Sequence, residues 1–488
     1  MPACRTAEIR HKILAVKLPL VVSSGAFLTL TVFHAGCALN PVPQQTGAAS
    51  PITEVSVRSH MEFLASDALN GRGSGTRDEW IAAAYLGAEM QGWGLEPMGD
   101  AGGFVQKVEV ERLETAAPPT LSVNGKKYTH GQEMRVLALS AARVSGPLQK
   151  YTAGTAIKPG SVLLMPAAAP APQSSGQRQT PPVTTGAAMV LTIENPNQPK
   201  PPAGVRLPAP PPRFVGVEAP PSGRPTAVVL TKEAYAAISE LAEGTTLTVE
   251  AEVKPGQMSQ TWNAVGRLTG SDPVAAKEII LLSAHLDHLG ARSAPNAAPG
   301  ADTIYNGADD DASGTVAVLE LARTLALGPR PKRTIVFAFF GSEESGGFGS
   351  RYFADRPVVP LSEIVANLQF EMIGRPDGKV PSHTLWLTGY ERSTLGPALA
   401  KQGAKLVQDP HPEESFFTRS DNIQFARRGV VAHTVSSFGL HKEYHKPSDE
   451  IRLIDFAHMT DAIRSMLEPV RWLANSGFTP EWLPGMKP

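Results

Sequence analysis

The sequence predicts an α/β protein whose mixed, mostly parallel central sheet is flanked by helices and whose chain carries an inserted β-rich domain. Two short apolar runs, residues 279–282 and 334–340, are bounded by polar residues, as is typical of parallel strands buried on both faces. Between them, residues 314–327 have the apolar spacing of a helix. Strand, helix and strand in this order form a βαβ unit, which makes the two strands parallel.

Residues suited to holding a divalent metal stand at the ends of these elements. They are His285, Asp287 and His288 after the first strand, Asp309, Asp310 and Asp311 before the helix, and Glu343 and Glu344 after the second strand. Open α/β sheets place their sites just beyond the carboxyl ends of the strands. Adjacent carboxylates repel one another, so three in a row need either solvent or a cation among them. We therefore expect a metal site at this edge of the sheet.

The N-terminal segment has the features of an export signal. Basic residues precede an apolar stretch, residues 18–33, and small residues then lead to Cys37. This order is typical of a secretory signal, which we place at residues 1–37. The ending also resembles a bacterial lipoprotein box, which would anchor the protein to a membrane through Cys37, although His34 stands where such boxes usually carry leucine. We expect an exported protein, either secreted or a periplasmic or outer-membrane lipoprotein.

The rest of the chain divides by composition. Residues 38–50 contain prolines and predict a flexible tether, and residues 51–116, with a helix at 79–91, form the first part of the catalytic domain. Residues 117–255 are rich in Pro and Ala, contain short β-type runs and offer few catalytic groups. They predict an inserted accessory domain. Residues 256–488 form the main part of the catalytic domain.

Two more candidate ligands follow the βαβ unit. Residues 367–374 read as a third buried strand carrying Glu371, and His445 follows Tyr444 in a loop before a closing helix at 453–473.

Composition excludes other classes of site. The net charge is −1 with 42% hydrophobic residues and no basic run, so we expect no nucleic-acid partner. Cys4 and Cys37 are the only cysteines, and both lie in or at the predicted signal. A metal must therefore be held by histidine and carboxylate.

The candidate ligands suggest two metals. They are His285, Asp310, Glu344, Glu371 and His445. Two zinc ions that share one carboxylate need about five protein ligands, whereas a single catalytic zinc needs only three. Mixed nitrogen and oxygen ligands favour zinc, for which cobalt or manganese could substitute. We expect two Zn²⁺ per chain.

These residues resemble the co-catalytic zinc exopeptidases, the family of bacterial secreted leucine aminopeptidases and glutamate carboxypeptidase. The resemblance runs through five motifs in the family's order, HLDHLG, GADDDASG, FGSEE, FEMIG and YHKPSD. It covers about residues 52–116 and 261–472. The stretch between them resembles the protease-associated domain that is often inserted there.

The resemblance implies a role for each matching position. One zinc would be held by His285 and Glu371, the other by Glu344 and His445, with Asp310 bridging them, Asp287 orienting His285, Glu343 acting as the general base and Tyr444 donating to the oxyanion. Relatives usually carry aspartate where Glu371 stands, so this longer side chain could alter the geometry or the metal preference. A packing role for Tyr444 remains open. We place His288 outside the ligand set, as a supporting or structural residue, and interpret His433 as a core histidine.

The implied function is that of an exported zinc aminopeptidase, which hydrolyses N-terminal residues from peptides through a zinc-bridging hydroxide activated by a glutamate. Three alternatives stay open. A glutaminyl cyclase-like acyltransferase would use one zinc. A carboxypeptidase would need a basic pocket, for which Arg419 is the suggestive residue. A receptor-like binding protein would lack catalysis, which the intact ligand candidates and Glu343 argue against.

Overall fold

The computed structural model describes residues 52–152, 154–167, 186–195, 207–217, 224–292, 298 and 300–488. The predicted export signal and tether lie outside these ranges. Within them, none of the helices combines the length and the apolar character that crossing a membrane requires.

The described part of the chain forms strands and helices in the following order. The strands are β1 (Glu96–Pro97), β2 (Val105–Thr115), β3 (Thr120–Val123), β4 (Lys126–Thr129), β5 (Met134–Ala138), β6 (Arg143–Lys150), β7 (Val162–Leu164), β8 (Met189–Ile193), β9 (Arg213–Phe214), β10 (Thr226–Leu230), β11 (Thr246–Glu250), β12 (Val253–Leu268), β13 (Ile279–His285), β14 (Gly290–Ala291), β15 (Ile304–Tyr305), β16 (Thr334–Phe340), β17 (Ile364–Phe370), β18 (Leu385–Leu387), β19 (Leu406–Gln408) and β20 (Ala432–Ser436). The helices are α1 (Glu54–Leu64), α2 (Arg77–Gly92), α3 (Lys232–Ser239), α4 (Gly314–Ala326), α5 (Phe348–Asp355), α6 (Leu395–Lys401), α7 (Asn422–Ala426) and α8 (Phe456–Asn475).

The first sheet has the order β19-β18-β20-β17-β13-β16-β12-β2-β9, with β1 added on β12. Its four central strands, β20, β17, β13 and β16, are parallel. Antiparallel pairs continue the sheet on both sides, β12 on β16 and β18 on β20. The mixed α/β class is confirmed, with the parallel pairing concentrated at the centre of the sheet.

Helices cover both faces of the first sheet, which explains why its central strands are apolar throughout. Ile280 and Leu282 of β13 pack with α1, α2, α4, α6 and α8 on one face. Ile279 and Leu281 point the other way and pack with α5 and α7. Successive residues of a strand alternate between faces, so every residue of β13 is buried. The ends of these strands are thereby held rigidly.

A second sheet forms from the Pro- and Ala-rich stretch. Its order is β4-β3-β11-β6-β7-β8-β10-β5, and it has an apolar core of its own that includes α3. The long strands β2 and β12 pair from Val253↔Thr115 to Ala264↔Val105, so the chain leaves and re-enters the first sheet side by side. The short strand β9 lies within the stretch predicted as inserted but pairs with β2 of the first sheet.

Candidate metal centre

Three strand ends meet at one edge of the first sheet. β13 ends at His285, β16 ends shortly before Glu343 and Glu344, and β17 ends immediately before Glu371. The third strand was predicted over residues 367–374, but β17 spans Ile364–Phe370 and ends four residues earlier, so Glu371 follows the strand instead of lying in it. The three strands are adjacent and parallel, with β13 in the middle. Their carboxyl ends bring the candidate ligands together.

The three consecutive aspartates have different partners, and Asp311 has a structural one. They lie in a wide helical turn, Ala308–Ser313, before α4. The Asp311 carboxylate accepts hydrogen bonds from the backbone N–H groups of Gly314 (3.1 Å), Met372 (3.0 Å) and His285 (3.2 Å). It therefore ties the start of α4 to the ends of β13 and β17.

The carboxylate of Asp309 also interacts with groups outside the candidate ligand set. Its carboxylate accepts from the backbone N–H of Gly374 at 2.8 Å and lies 2.8 Å from Nε2 of His441. The backbone N–H groups of Asp309 and Asp310 both donate to the Asp449 carboxylate at 3.1 Å. This contact fixes the turn and leaves the side chain of Asp310 to face the histidines.

Asp310 lies between two histidines. One carboxylate oxygen is 3.2 Å from Nε2 of His285, and the other is 3.2 Å from Nε2 of His445. The same His445 nitrogen is 3.2 Å from Oε2 of Glu344. Neighbouring ligands of a tetrahedral zinc with bonds of about 2.0–2.1 Å are about 3.3 Å apart. The spacing of these donors thus suits cations placed on either side of Asp310.

His288, which was predicted to be a supporting or structural residue, lies directly beside the candidate ligand Glu344. Its Nδ1 is 2.8 Å from Oε1 of Glu344, and donor atoms of His288, Asp310 and Glu344 lie within 4.8 Å of one another. Its ring meets that of His445 edge-on at 5.8 Å. Despite the short distance to Glu344, neither ring nitrogen makes a hydrogen bond with the residues that the structure describes.

Several buried polar atoms at this edge need a partner. Oε2 of Glu371, Oε1 of Glu344 and both ring nitrogens of His288 are buried, and none makes a hydrogen bond within the described ranges. A buried polar atom without a partner costs about 1–3 kcal/mol. Carboxylate oxygens and neutral imidazole nitrogens are the donors that zinc takes. The residues present therefore fit a divalent metal.

The electrostatics of the edge also call for a cation. Burial raises the pKa of Glu343 well above its usual range, and neighbouring carboxylates raise it further. Burial and Asp310 likewise raise the pKa of Glu371 to about 7. Burial acts in the same direction on Asp310 and Glu344, but the neighbouring histidines outweigh it and hold the pKa of both below the ordinary value. Positive charge placed among these groups would stabilise all their ionised forms.

Asp287 joins the ends of two strands. Nδ1 of His285 lies 3.1 Å from the backbone carbonyl oxygen of Asp287 and 3.7 Å from its carboxylate, so the carbonyl is the group that orients the imidazole. The carboxylate instead accepts from the backbone N–H of Glu343 at 2.9 Å and from Oγ of Ser74 at 2.5 Å. The resemblance implied that Asp287 orients His285; in the structure its carbonyl contacts the imidazole, and its carboxylate anchors Glu343.

Three residues at or next to the candidate groups have a left-handed backbone conformation. Ser342 (φ 55°), Met372 (φ 52°) and His445 (φ 56°) all adopt positive φ without being glycine. Such conformations cost about 1–3 kcal/mol each and persist where the surroundings enforce them. Ser342 precedes Glu343, Met372 follows Glu371, and His445 is itself a candidate ligand.

A cleft of about 490 Å³ opens over these groups. Its walls include Asp310, Glu343, Glu344, Glu371 and His445 on the acidic side and Trp386, Phe416, Phe438 and Tyr444 on the aromatic side. Trp386 and Phe416 are stacked at 5.4 Å, and Tyr444 stacks on His445 at 3.9 Å. Arg419 also lines the cleft, with its guanidinium 4.8 Å from the centre of the Phe416 ring.

The structure brings all eight predicted site residues to this one edge, whereas His433 lies apart from it. His433 is buried, with hydrogen bonds of 2.7 Å to Ser393 and Thr388, as expected of a core histidine. Two residues that the sequence analysis missed, Ser74 and Glu79, reach the site from the N-terminal part of the chain. The sequence signal that could have found them is the glycine-rich turn at residues 71–75, which contains Ser74 and lies shortly before Glu79.

Comparison with known proteins gives a family for the part of the chain that holds this site. Residues 263–470 match the sequence profile of peptidase family M28. The leupeptin-inactivating enzyme 1 of Streptomyces exfoliatus is 30% identical over 191 residues, which is 39% of this chain and 38% of that protein. Leucine aminopeptidase 1 of Uncinocarpus reesii is 28% identical over 171 residues, 31% of this chain and 42% of that protein. The chain thus matches about two fifths of the length of these relatives.

Solved structures of aminopeptidases align over most of the chain. One from an Aneurinibacillus species covers 90% of this chain and 96% of its own, at 20% identity and a TM-score of 0.47. A zinc aminopeptidase from Bacillus subtilis covers 87% and 96%, at 19% identity and a TM-score of 0.47. The match to peptidase family M28 covers residues 263–470, which contain the whole candidate metal centre apart from its N-terminal supports.

Proposed function

We propose that this protein is a zinc-dependent aminopeptidase that carries two metals at the candidate centre. The observation that carries the proposal is the position of Asp310, whose two oxygens face His285 and His445 at 3.2 Å each. His285, Asp310 and Glu371 would hold one ion, and Asp310, Glu344 and His445 the other. The chemistry that bound zinc supplies is Lewis acidity, which polarises a scissile carbonyl and acidifies water.

Glu343 is the residue suited to proton transfer. It lines the cleft beside the ligands, and burial keeps its pKa well above that of an ordinary glutamate. A raised pKa makes a carboxylate a better base near neutral pH. Glu343 would take a proton from the attacking water and return it to the leaving amine. Its backbone N–H is anchored by the Asp287 carboxylate, which fixes the point from which the side chain extends.

Tyr444 is suited to stabilising negative charge. Its ring is held against His445, and burial together with nearby carboxylates raises the pKa of its hydroxyl. It therefore stays protonated and can donate to the oxyanion that forms at the scissile carbonyl.

The aromatic wall favours a peptide substrate whose apolar side chain binds in the cleft. Trp386, Phe416 and Phe438 offer apolar surface that a bound side chain would bury. The acidic wall supports binding of a free α-amine, because an ammonium group beside Glu371 or Glu344 would be attracted by their charge. Arg419 is the feature that favours a carboxypeptidase instead, since it could pair with a terminal carboxylate. It already lies 3.3 Å from Glu414 and over Phe416.

We also propose that the chain is exported. The order of basic, apolar and small residues over 1–37 supports this, as does the 30% identity over 198 residues to a probable lipoprotein aminopeptidase of Mycobacterium tuberculosis. Metabolic labelling with a radioactive fatty acid, with Cys37→Ser as the control, tests the lipid anchor.

The function is tested by metal content per chain together with hydrolysis of leucine-p-nitroanilide, before and after chelation. Two zinc ions per chain, with activity lost on chelation and restored by zinc, are expected. One zinc, no hydrolysis and cyclisation of an N-terminal glutamine would indicate the cyclase. Cleavage of an N-blocked peptide with a free carboxyl terminus would indicate a carboxypeptidase. Bound zinc without turnover of any of these substrates would indicate a binding protein without catalytic activity.

A further inference from the structure

Glu79 is a fully buried carboxylate that lies near the candidate centre but belongs to none of its walls. It stands in the first turn of α2, outside the residues that match the family. Its relative exposure is 0%. Buried glutamates are rare unless hydrogen bonds or charges compensate them, so its partners indicate its role.

Three parts of the chain donate to this carboxylate. One oxygen accepts from the backbone N–H of Gly75 at 2.8 Å. The other accepts from Oγ1 of Thr261 at 2.6 Å and from the backbone N–H of Ser342 at 2.8 Å. The approach is so close that a Cβ at Gly341 would lie 2.6 Å from Oε1 of Glu79. A glycine is therefore required at position 341, where the chain leaves β16 beside this carboxylate.

The contact with Ser342 falls on the strained residue just before Glu343. Ser342 has φ 55°, which a non-glycine residue adopts only when its surroundings hold it there. Glu79 binds its N–H, and Asp287 binds the next N–H, that of Glu343, at 2.9 Å. Ser74, close to Glu79 in sequence, donates to the same Asp287 carboxylate. The segment 74–79 thus holds both successive N–H groups of the turn, one directly and one through Asp287.

We propose that Glu79 is a positioning residue that fixes the turn at Ser342 and thereby aims the side chain of Glu343 into the cleft. It acts through the backbone and touches neither the cleft nor a candidate ligand in the described structure. The part of this inference that concerns catalysis rests on the proposed function. The part that concerns the turn does not, because it can be measured without any substrate.

The test is Glu79→Gln in the full chain loaded with zinc. Glutamine keeps the size and one acceptor oxygen but turns an NH₂ group toward an N–H or a hydroxyl that needs an acceptor. Hydrogen–deuterium exchange of the peptide covering Ser342 and Glu343 should become at least about tenfold faster, since the amide is a weaker acceptor than the carboxylate and the turn opens more readily. Exchange in the rest of β16 should not change. Glu62→Gln, an exposed glutamate of α1, is the matched control.

Enzyme kinetics then distinguish a loss of Glu343 positioning from a general loosening of the fold. For an active enzyme, kcat should fall about 10–100-fold while KM stays within about twofold and the zinc content is unchanged. In a Glu343→Gln background the same change should cost little more, because the group that Glu79 positions has been removed. Additive losses, or unaltered exchange at Ser342 in a folded variant, would overturn the proposal. If wild-type protein hydrolyses nothing, the exchange result still decides the role of Glu79.

Should Glu79→Gln fail to fold, Thr261→Val removes one donor and leaves the carboxylate in place. A smaller acceleration of exchange at Ser342, about threefold to fivefold for the loss of one hydrogen bond, is expected there. Exchange equal to that of wild type would count against the proposal.

Discussion

The backbone N–H of Glu343 donates a hydrogen bond to the carboxylate of Asp287 at 2.9 Å, which links the residues that follow two adjacent parallel strands. The same Asp287 offers its backbone carbonyl to His285 at 3.1 Å. One residue therefore orients a candidate metal ligand and the candidate base together. A movement of one strand end would therefore displace the other through Asp287.

Replacing Glu343 by glutamine removes the proposed base without changing the size of the side chain. We expect kcat to fall by about 10²–10⁴ because proton transfer from water loses its acceptor. Zinc content should stay at the wild-type value, since Glu343 is outside the proposed ligand set. Leucine-p-nitroanilide kinetics and elemental analysis measure both. Glu413→Gln, an exposed residue, is the control, and wild-type turnover in Glu343→Gln would remove the assignment.

Glu371→Gln tests whether this residue holds one of two metals. The amide is a poor zinc ligand and carries no charge, so zinc per chain should fall from two to one after dialysis against zinc buffered at low concentration. Glu371→Asp should keep both ions, because it keeps the carboxylate. Elemental analysis on the two variants gives the answer. Equal zinc in wild type and Glu371→Gln would show that Glu371 is not a ligand.

His433 should make the protein less stable in acid. Burial lowers the pKa of this histidine from 6.5 to about 4 in the folded chain. Between these values the unfolded chain binds a proton that the folded chain does not, so the stabilisation is complete above pH 6.5 and is lost as pH falls toward 4. The loss amounts to about 3 kcal/mol. Urea unfolding of wild type and His433→Gln from pH 7 to pH 4 should show the extra slope in wild type alone; parallel curves would contradict this.

Arg72 should contribute strongly to stability. It is 1% exposed and donates to the backbone carbonyls of Leu286 (2.9 Å), Asn306 (2.7 Å) and Gly307 (3.0 Å), and also to that of Leu64. It thereby joins the N-terminal helices to the loop before the aspartate turn.

A lysine cannot reach these acceptors with one ammonium group, so Arg72→Lys should lower the free energy of unfolding by about 3 kcal/mol. Urea denaturation measures the change. The exposed Arg77→Lys should alter it by less than about 0.5 kcal/mol. Equal stability of the two variants would show that the carbonyls find other donors.

Local patterns were enough for the centre of the fold. Residues 334–340 were predicted as a strand and form β16 with the same bounds, and the helix predicted at 314–327 is α4 within one residue. These elements are buried on nearly every side, so their apolar runs are uninterrupted and easy to recognise. The boundaries of the β-rich part were harder to predict, because β9 leaves its neighbours in sequence to pair with β2.

The sequence by itself determined which chemistry is available at the sheet edge. His285, Glu343, Glu344 and Glu371 follow apolar strands directly, and a residue at the end of a parallel strand has only one edge of the sheet to occupy. Which of the three adjacent aspartates faces the histidines was decided by tertiary contacts. Hydrogen bonds from Gly374 and Gly314 occupy the carboxylates of Asp309 and Asp311.

Only the tertiary structure placed Glu79 behind Glu343 and His288 beside Glu344. The hydrogen bond between Glu79 and Ser342 spans 263 positions of the chain, and no local pattern encodes a contact between such distant residues. A glutamate in a helix gives the same sequence pattern whether its carboxylate meets water or a backbone N–H in the folded chain. Packing of α2 against β12 brings Glu79 to the N–H of Ser342 and so supplies the support of the site.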